Sequence, residues 1–166
     1  MSTEAALPQI FLQPGELHFA TKPTSIETIL GSCVGISFWS PRHAVGALCH
    51  AMLPTQPAVT NNKDGLRYVD FCIHELARRF DALGVPRAEV EVKLFGGADM
   101  FSSTTPQRPG VGHLNATAAL DLLRSEGFTI TASSLGKSFG RKIKFNTATG
   151  EVLLLRLTHY PSEKAA

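Results

Sequence analysis

With 166 residues, 43% of them hydrophobic and 18% charged, the chain has an ordinary globular composition and is long enough for one domain around a single sizeable core. A formal net charge of +2 is too small to draw it to nucleic acid or an anionic membrane surface, and no run of about 18 apolar residues offers a membrane span. Three cysteines with no Cys-x-x-Cys pair argue against a disulfide framework or a zinc site, and Met1-Ser-Thr-Glu-Ala-Ala lacks the basic and apolar regions of a signal peptide, so a reducing cytoplasm is expected.

Residues 1–15, broken by Pro8 and Pro14-Gly15, read as a frayed lead-in, residues 15–20 as a short edge strand and residues 21–25 as a polar loop. From Thr28 to Pro54, two apolar, β-rich runs flank a Ser-Pro break, the pattern of a β-hairpin. With the turn centred near Arg42, Cys33 lies directly opposite His50, their Cβ atoms roughly 4.5–5.5 Å apart. On that register Val34, Ile36 and Phe38 share an apolar face with Val45, Ala47 and Cys49. Cys33, Gly35 and Ser37 share the other face with His50, Leu48 and Gly46. A one-residue slip would separate Cys33 from His50.

Residues 55–65 form a polar, turn-rich loop of the length of a lid or binding loop. Residues 67–83 are expected as a helix, with Tyr68, Phe71, Cys72, Leu76, Phe80 and Leu83 at three-and-four spacing and Gly84-Val-Pro86 ending it. Residues 90–95 alternate as a strand, followed by Gly96-Gly97 and a polar loop over residues 102–112. A second helix is expected over residues 113–126, with Leu114, Ala118, Leu122 and Leu123 on or near one face and Gly127 as its stop. A strand over residues 128–132 and a hairpin of residues 141–145 and 152–157 follow, then a loose tail beyond His159. Helices separated by strands, with hairpins at both ends, imply an α/β single-domain sandwich with a mixed β-sheet and two main helices over residues 1–166, ordered over about residues 12–158.

Cys33 carries the sharpest chemical signal. It follows Gly31-Ser32 at the start of a strand, where backbone N–H groups of a bend are free to face a substrate oxygen. Most free cysteines are small buried hydrophobes, and Cys49 and Cys72, on apolar faces, are expected to be only that. His50 across the hairpin can act as general base and then general acid, which with Cys33 makes the constellation of thiol acyl transfer. A third group must orient the imidazole, with Thr28, Ser32 and Ser37 the hydroxyls within reach. Gly96-Gly97 either lines the site or makes a tight turn. It is no phosphate loop, because the downstream Gly-Lys-Ser/Thr is absent. His43, His74, His113 and His159 have no metal-like spacing, and no metal or cofactor is expected.

Leu30-Gly-Ser-Cys-Val-Gly35 with His50-Ala-Met-Leu-Pro54 resembles the signature of CheD, the chemoreceptor glutamine deamidase family of bacterial and archaeal chemotaxis. Four more blocks agree in order: Arg67-Tyr-Val-Asp70; Leu94-Phe-Gly-Gly-Ala98 with Met100-Phe101; Gly112 with Asn115; and Gly140-Arg-Lys-Ile-Lys-Phe145 running to Gly150-Glu-Val152. The resemblance implies a cytoplasmic cysteine hydrolase that converts glutamine side chains on receptor cytoplasmic helices to glutamate. Cys33 and His50 stand at the family's catalytic positions, and no cofactor or membrane insertion is implied; from their places at the bend and the glycine turn, Gly31, Ser32, Gly96 and Gly97 are expected to line the substrate and oxyanion site. The family's catalytic threonine usually stands six residues before the cysteine, where this chain has Glu27. Thr28, one residue later, has the hydroxyl, so the expectation falls on Thr28 with Glu27 as the alternative. The chain also has Ser134-Leu-Gly-Lys137 where the family commonly has Asp-x-Gly-Gly, and Gly112-His-Leu-Asn115 where it commonly has Gly-x-Arg-Asn. Some members bind the chemotaxis phosphatase CheC. A non-catalytic adaptor of the same fold, binding receptor helices or that phosphatase through residues 97–101 and the surrounding loops, is the alternative from another class.

Overall fold

The computed structural model describes residues 6–58, 62–99 and 108–157, among which nine strands and two α-helices form. Strands β1 (Gln9–Phe11), β3 (Ser25–Leu30), β8 (Gly140–Asn146) and β9 (Val152–Leu157) make a four-stranded sheet in the order β1-β3-β8-β9. Strands β2 (Leu17–Ala20), β4 (Val34–Ser40), β5 (Val45–Ala51), β6 (Glu91–Gly96) and β7 (Thr129–Leu135) make a five-stranded sheet in the order β2-β5-β4-β6-β7. Both sheets are mixed, because β1 runs parallel to β3 and β6 parallel to β7 while the other pairs are antiparallel. The expected α/β architecture with mixed pairing is present, with the strands divided between two stacked sheets.

Helix α1 (Val69–Ala82) buries Val69, Cys72, Ile73, Leu76, Ala77 and Phe80. Of the expected stripe, Cys72, Leu76 and Phe80 are buried, Tyr68 and Phe71 half-buried, and Leu83, past the end of the helix, is exposed. Helix α2 (Val111–Ser125) buries Gly112, Asn115, Ala116, Ala119 and Leu123. Its buried face is rotated from the expected one, and Leu114 is exposed. Small residues at 112, 116 and 119 let α2 approach the sheet closely, an advantage that a count of large apolar side chains overlooks. Both helices cover one face of the five-stranded sheet. There Ile36, Phe38, Cys49, Leu76, Phe80, Leu94 and Phe128 form the larger core, with the Phe38 ring 5.6 Å from Phe80 and 4.7 Å from Phe128. The four-stranded sheet covers the other face, where Leu12, Ile26, Leu30, Leu48, Phe95, Ile143 and Phe145 make a second core.

The run from Thr28 to Trp39, expected as one arm of a hairpin, is split at residues 31–33. Its first part ends β3 in one sheet and its second part is β4 in the other, so the bend carries the chain between layers. The β4–β5 hairpin forms as expected, but two residues out of the expected register: Gly35 lies opposite His50, and Ser40 opposite Val45 is the last pair. The turn is the four residues 41–44, next to the expected centre near Arg42, with Ala44 at φ +51°. A two-residue shift preserves side-chain parity, so both faces keep their expected residues. The lead-in is not frayed from residue 9 onward, since β1 pairs with β3 and Leu12 is buried. Residues 1–5, residues 59–61 of the expected loop over 55–65, and the tail from residue 158 lie outside the described residues.

Candidate active site

Alternation along β3 turns Ile26, Thr28 and Leu30 toward the five-stranded sheet, and alternation along β5 turns Leu48 and His50 toward the four-stranded one. Thr28 and His50 therefore meet in the second core. Thr28 Oγ1 lies 2.6 Å from His50 Nδ1 and donates its hydrogen to the Leu12 carbonyl, 2.9 Å away. A hydroxyl has one hydrogen, and the carbonyl can only accept it. The Thr28 oxygen must then accept from Nδ1–H, which fixes the neutral tautomer with Nε2 bare. Nε2 is buried and has no hydrogen-bond partner among the described residues. Backbone bonds on both sides hold the residue: His50 N–H donates to the Glu16 carbonyl at 2.9 Å and Gly15 N–H to the His50 carbonyl at 2.8 Å.

Glu27, the other candidate for holding His50, sits on the opposite face of β3 beside the lysines of β8. Its carboxylate is 3.5 Å from Lys144 Nζ and 4.0 Å from Lys142 Nζ. Strand parity thus brings Thr28 to the imidazole and turns Glu27 away.

Cys33 is half-buried, immediately before β4. It is not directly opposite His50. On the same face two positions along, it is a diagonal neighbour, a relation in which residues lie roughly 7–8 Å apart, and no hydrogen bond joins its thiol to His50 Nε2. The bend that bears it has all its carbonyls occupied. Ala98 N–H donates to Gly31 O at 3.0 Å, Asn115 Nδ2 to Ser32 O at 3.0 Å, and Gly97 N–H to Cys33 O at 2.9 Å. Among the described residues the N–H groups of Ser32 and Cys33 donate to no carbonyl. The Cys33 N–H also faces its own sulfur. The Gly97 N–H is taken by the Cys33 carbonyl, so it is not available to an oxyanion. Gly96 supports the bend in another way: with φ +104°, it lies so close that a Cβ would run into the Cys33 carbonyl.

Burial in an apolar layer sets the protonation of the pair. It raises the Cys33 thiol pKa above its ordinary value of 9.0, against a lowering contribution from the residue's own N–H. It lowers His50 from 6.5 to about 4, with the Glu16 carboxylate pulling weakly the other way. The resting site at neutral pH is thus thiol and neutral imidazole, not the thiolate that His50 would be expected to stabilise. A bare, correctly tautomeric Nε2 suits removal of the thiol proton as sulfur attacks, with free N–H groups at the bend to receive an oxyanion.

Three contributors had no assigned role in the sequence. The Leu12 carbonyl is a backbone group, invisible to any residue pattern. Asn115 is fully buried and bridges Ser32 O and Met52 O, each at 3.0 Å, tying the Cys33 bend to the chain just beyond His50. Its place in the block Gly112 with Asn115, shared with the CheD pattern, is the signal the sequence offers. Arg141, also fully buried, donates to Ser134 Oγ at 3.0 Å and lies over the Phe139 ring at 4.5 Å, with no carboxylate partner among the described residues. Ser37 is buried on the same face of β4. Cys49 and Cys72 are buried in the larger core. Among the described residues no group of three or more His, Cys, Asp and Glu could hold a metal ion, and no helix is long and apolar enough to cross a membrane.

The family model for CheD chemotactic sensory transduction matches residues 52–156, a span that begins just after His50. Curated relatives extend the likeness across the catalytic candidates' half of the chain. A probable chemoreceptor glutamine deamidase CheD 2 of Geobacter sulfurreducens is 45% identical over 91% of this chain and 91% of its own length. Proteins named probable chemoreceptor glutamine deamidase CheD are 39% identical in Maridesulfovibrio salexigens, over 90% of this chain and 92% of that one, and 38% identical in Pseudomonas fluorescens, over 87% and 82%. With the family model over most of the chain and relatives at this identity over nearly all of it, this protein belongs to the CheD family.

Proposed function

We propose that this protein is a cytoplasmic glutamine deamidase of chemoreceptors, the activity that its relatives' names state. The observation that carries the reading is the Thr28–His50 hydrogen bond of 2.6 Å, which leaves a bare, buried Nε2 on the face that bears Cys33. As Cys33 Sγ attacks the carboxamide carbon of a glutamine, His50 Nε2 takes the thiol proton. The resulting oxyanion accepts from the N–H groups of Ser32 and Cys33. The imidazolium returns the proton to the nitrogen, the C–N bond breaks, and ammonia leaves a thioester. Water, deprotonated by Nε2, adds to the thioester, and collapse breaks the C–S bond. The products are glutamate and the regenerated thiol. Thr28 keeps Nδ1–H engaged throughout.

A non-catalytic adaptor would have no use for an imidazole held in its base tautomer inside an apolar layer. A CheC-type phosphatase is a candidate second partner. Residues 100 and 101 of the surface expected for it lie outside the described residues. The test is ammonia release from a receptor cytoplasmic fragment: the wild-type chain should release it and Cys33→Ala should not. Equal release by both would remove Cys33 as the nucleophile.

A further inference from the structure

Beside the Cys33 bend lies an open cavity of about 640 Å³ whose wall includes Gly97, the residue bonded to the Cys33 carbonyl. Arg108, His113 and Lys137 line it together with a single acid, Asp99. None of these four side chains forms an ion pair or hydrogen bond among the described residues, so the cavity has an unspent positive charge. Lys137 stands at φ +64°, a conformation that favours glycine. Backbone hydrogen bonds tie the Lys137 segment to the Cys33 bend. Lys137 O accepts from Asp99 N–H at 2.8 Å, Gly136 N–H donates to Gly96 O at 3.0 Å, and Gly97 N–H donates to Cys33 O at 2.9 Å.

We infer that this cavity reads an acidic side chain of the substrate, one helical turn from the glutamine being deamidated, with Lys137 its principal determinant. The inference rests on the deamidase reading for its substrate. Residues three or four apart on a helix share a face with Cβ atoms about 5–6 Å apart. A glutamine at Cys33 would therefore bring such an acid to the neighbouring cavity. One consequence is an order of events, since a glutamate made by one turnover becomes the recognition acid for a glutamine one turn away.

The test uses two receptor cytoplasmic fragments that differ only in carrying Glu or Ala four residues from the target glutamine. Binding is measured by fluorescence anisotropy to the full-length Cys33→Ala protein, and turnover as ammonia released by the Cys33 protein. The Glu fragment should bind about fivefold tighter, the fold-change expected of an exposed charge contact, and the preference should fade in high salt. Lys137→Gly suits the backbone at φ +64° and should fold, yet should lose the preference, with the loss falling on KM rather than kcat. Lys137→Glu should invert it and Lys137→Arg retain it. Equal binding of the two fragments, including no binding of either, or an undiminished preference in Lys137→Glu, overturns the inference. An intact preference with no ammonia from either fragment would instead overturn the deamidase reading and leave the binding inference standing.

Discussion

Replacing Thr28 by valine removes one hydroxyl at nearly constant volume and leaves two buried groups, His50 Nδ1–H and the Leu12 carbonyl, without their partner. Each unmet buried group costs about 1–3 kcal/mol, so the variant should be roughly 2–6 kcal/mol less stable. For a chain of this size, that corresponds to a fall in Tm of about 4–24 °C. The catalytic cost is separate. Without an acceptor at Nδ1, the ring can carry its proton on Nε2, where it cannot receive the thiol hydrogen. The loss should approach that of a general base, about 100- to 1,000-fold in kcat. Ammonia release from a receptor fragment measures the rate, and nitrogen NMR of the histidine ring measures the tautomer. Thr28→Ser should restore both. Glu27→Ala, on the outer face of β3, should leave kcat unchanged and cost under about 1 kcal/mol. A Thr28→Val enzyme within about threefold of wild type, or a crippled Glu27→Ala, would refute the argument.

His50 supplies a pH signature. Its pKa is about 4 folded and 6.5 ordinarily, so between those values the unfolded chain binds a proton that the folded one refuses. Stability should therefore rise with pH from 4 to 6.5 by about 3 kcal/mol and be flat in this respect above it, and urea unfolding of His50→Leu should lack that increment. An identical pH slope in both proteins would contradict the assignment. Asn115→Ala frees the Ser32 carbonyl and loosens the peptide ahead of Cys33, so kcat should fall about 10- to 100-fold with a smaller effect on KM. A kcat within twofold of wild type would show that the bend holds itself. Iodoacetamide should label half-buried Cys33 well before buried Cys49 and Cys72, at a rate still climbing at pH 9 because burial raises its pKa. A plateau reached near neutral pH would indicate a resting thiolate.

The sequence reveals those features whose signal is local. The α1 stripe, the alternation of residues 90–95 and the two faces of the β4–β5 hairpin follow from periodicity, and the faces survive a register error because it is even. What it hides is long-range or belongs to the backbone. Nothing in the apolar run from Thr28 to Trp39 announces that it serves two sheets, since Gly31-Ser32 is as compatible with a bulge as with a change of layer. The choice between Glu27 and Thr28 depends on that split. Only when β3 is a separate strand facing β5 does parity put the hydroxyl on His50. Leu12 contributes through its carbonyl, and the short strand just before it, between Pro8 and Pro14, looks like a lead-in. The buried face of α2 is made of small residues, so Asn115 stays inconspicuous until Ser32 and Met52 are seen on either side of it.

The central claim is that Cys33 hydrolyses glutamine side chains of a chemoreceptor through a thioester. Its most direct test is peptide-resolved mass spectrometry of a receptor cytoplasmic fragment incubated with the full-length protein in water enriched in heavy oxygen. Discrete glutamines should become glutamates carrying one heavy oxygen from solvent, and Cys33→Ala should leave every glutamine intact. A receptor fragment whose glutamines are unchanged by the wild-type protein, or are converted equally by Cys33→Ala, would contradict it.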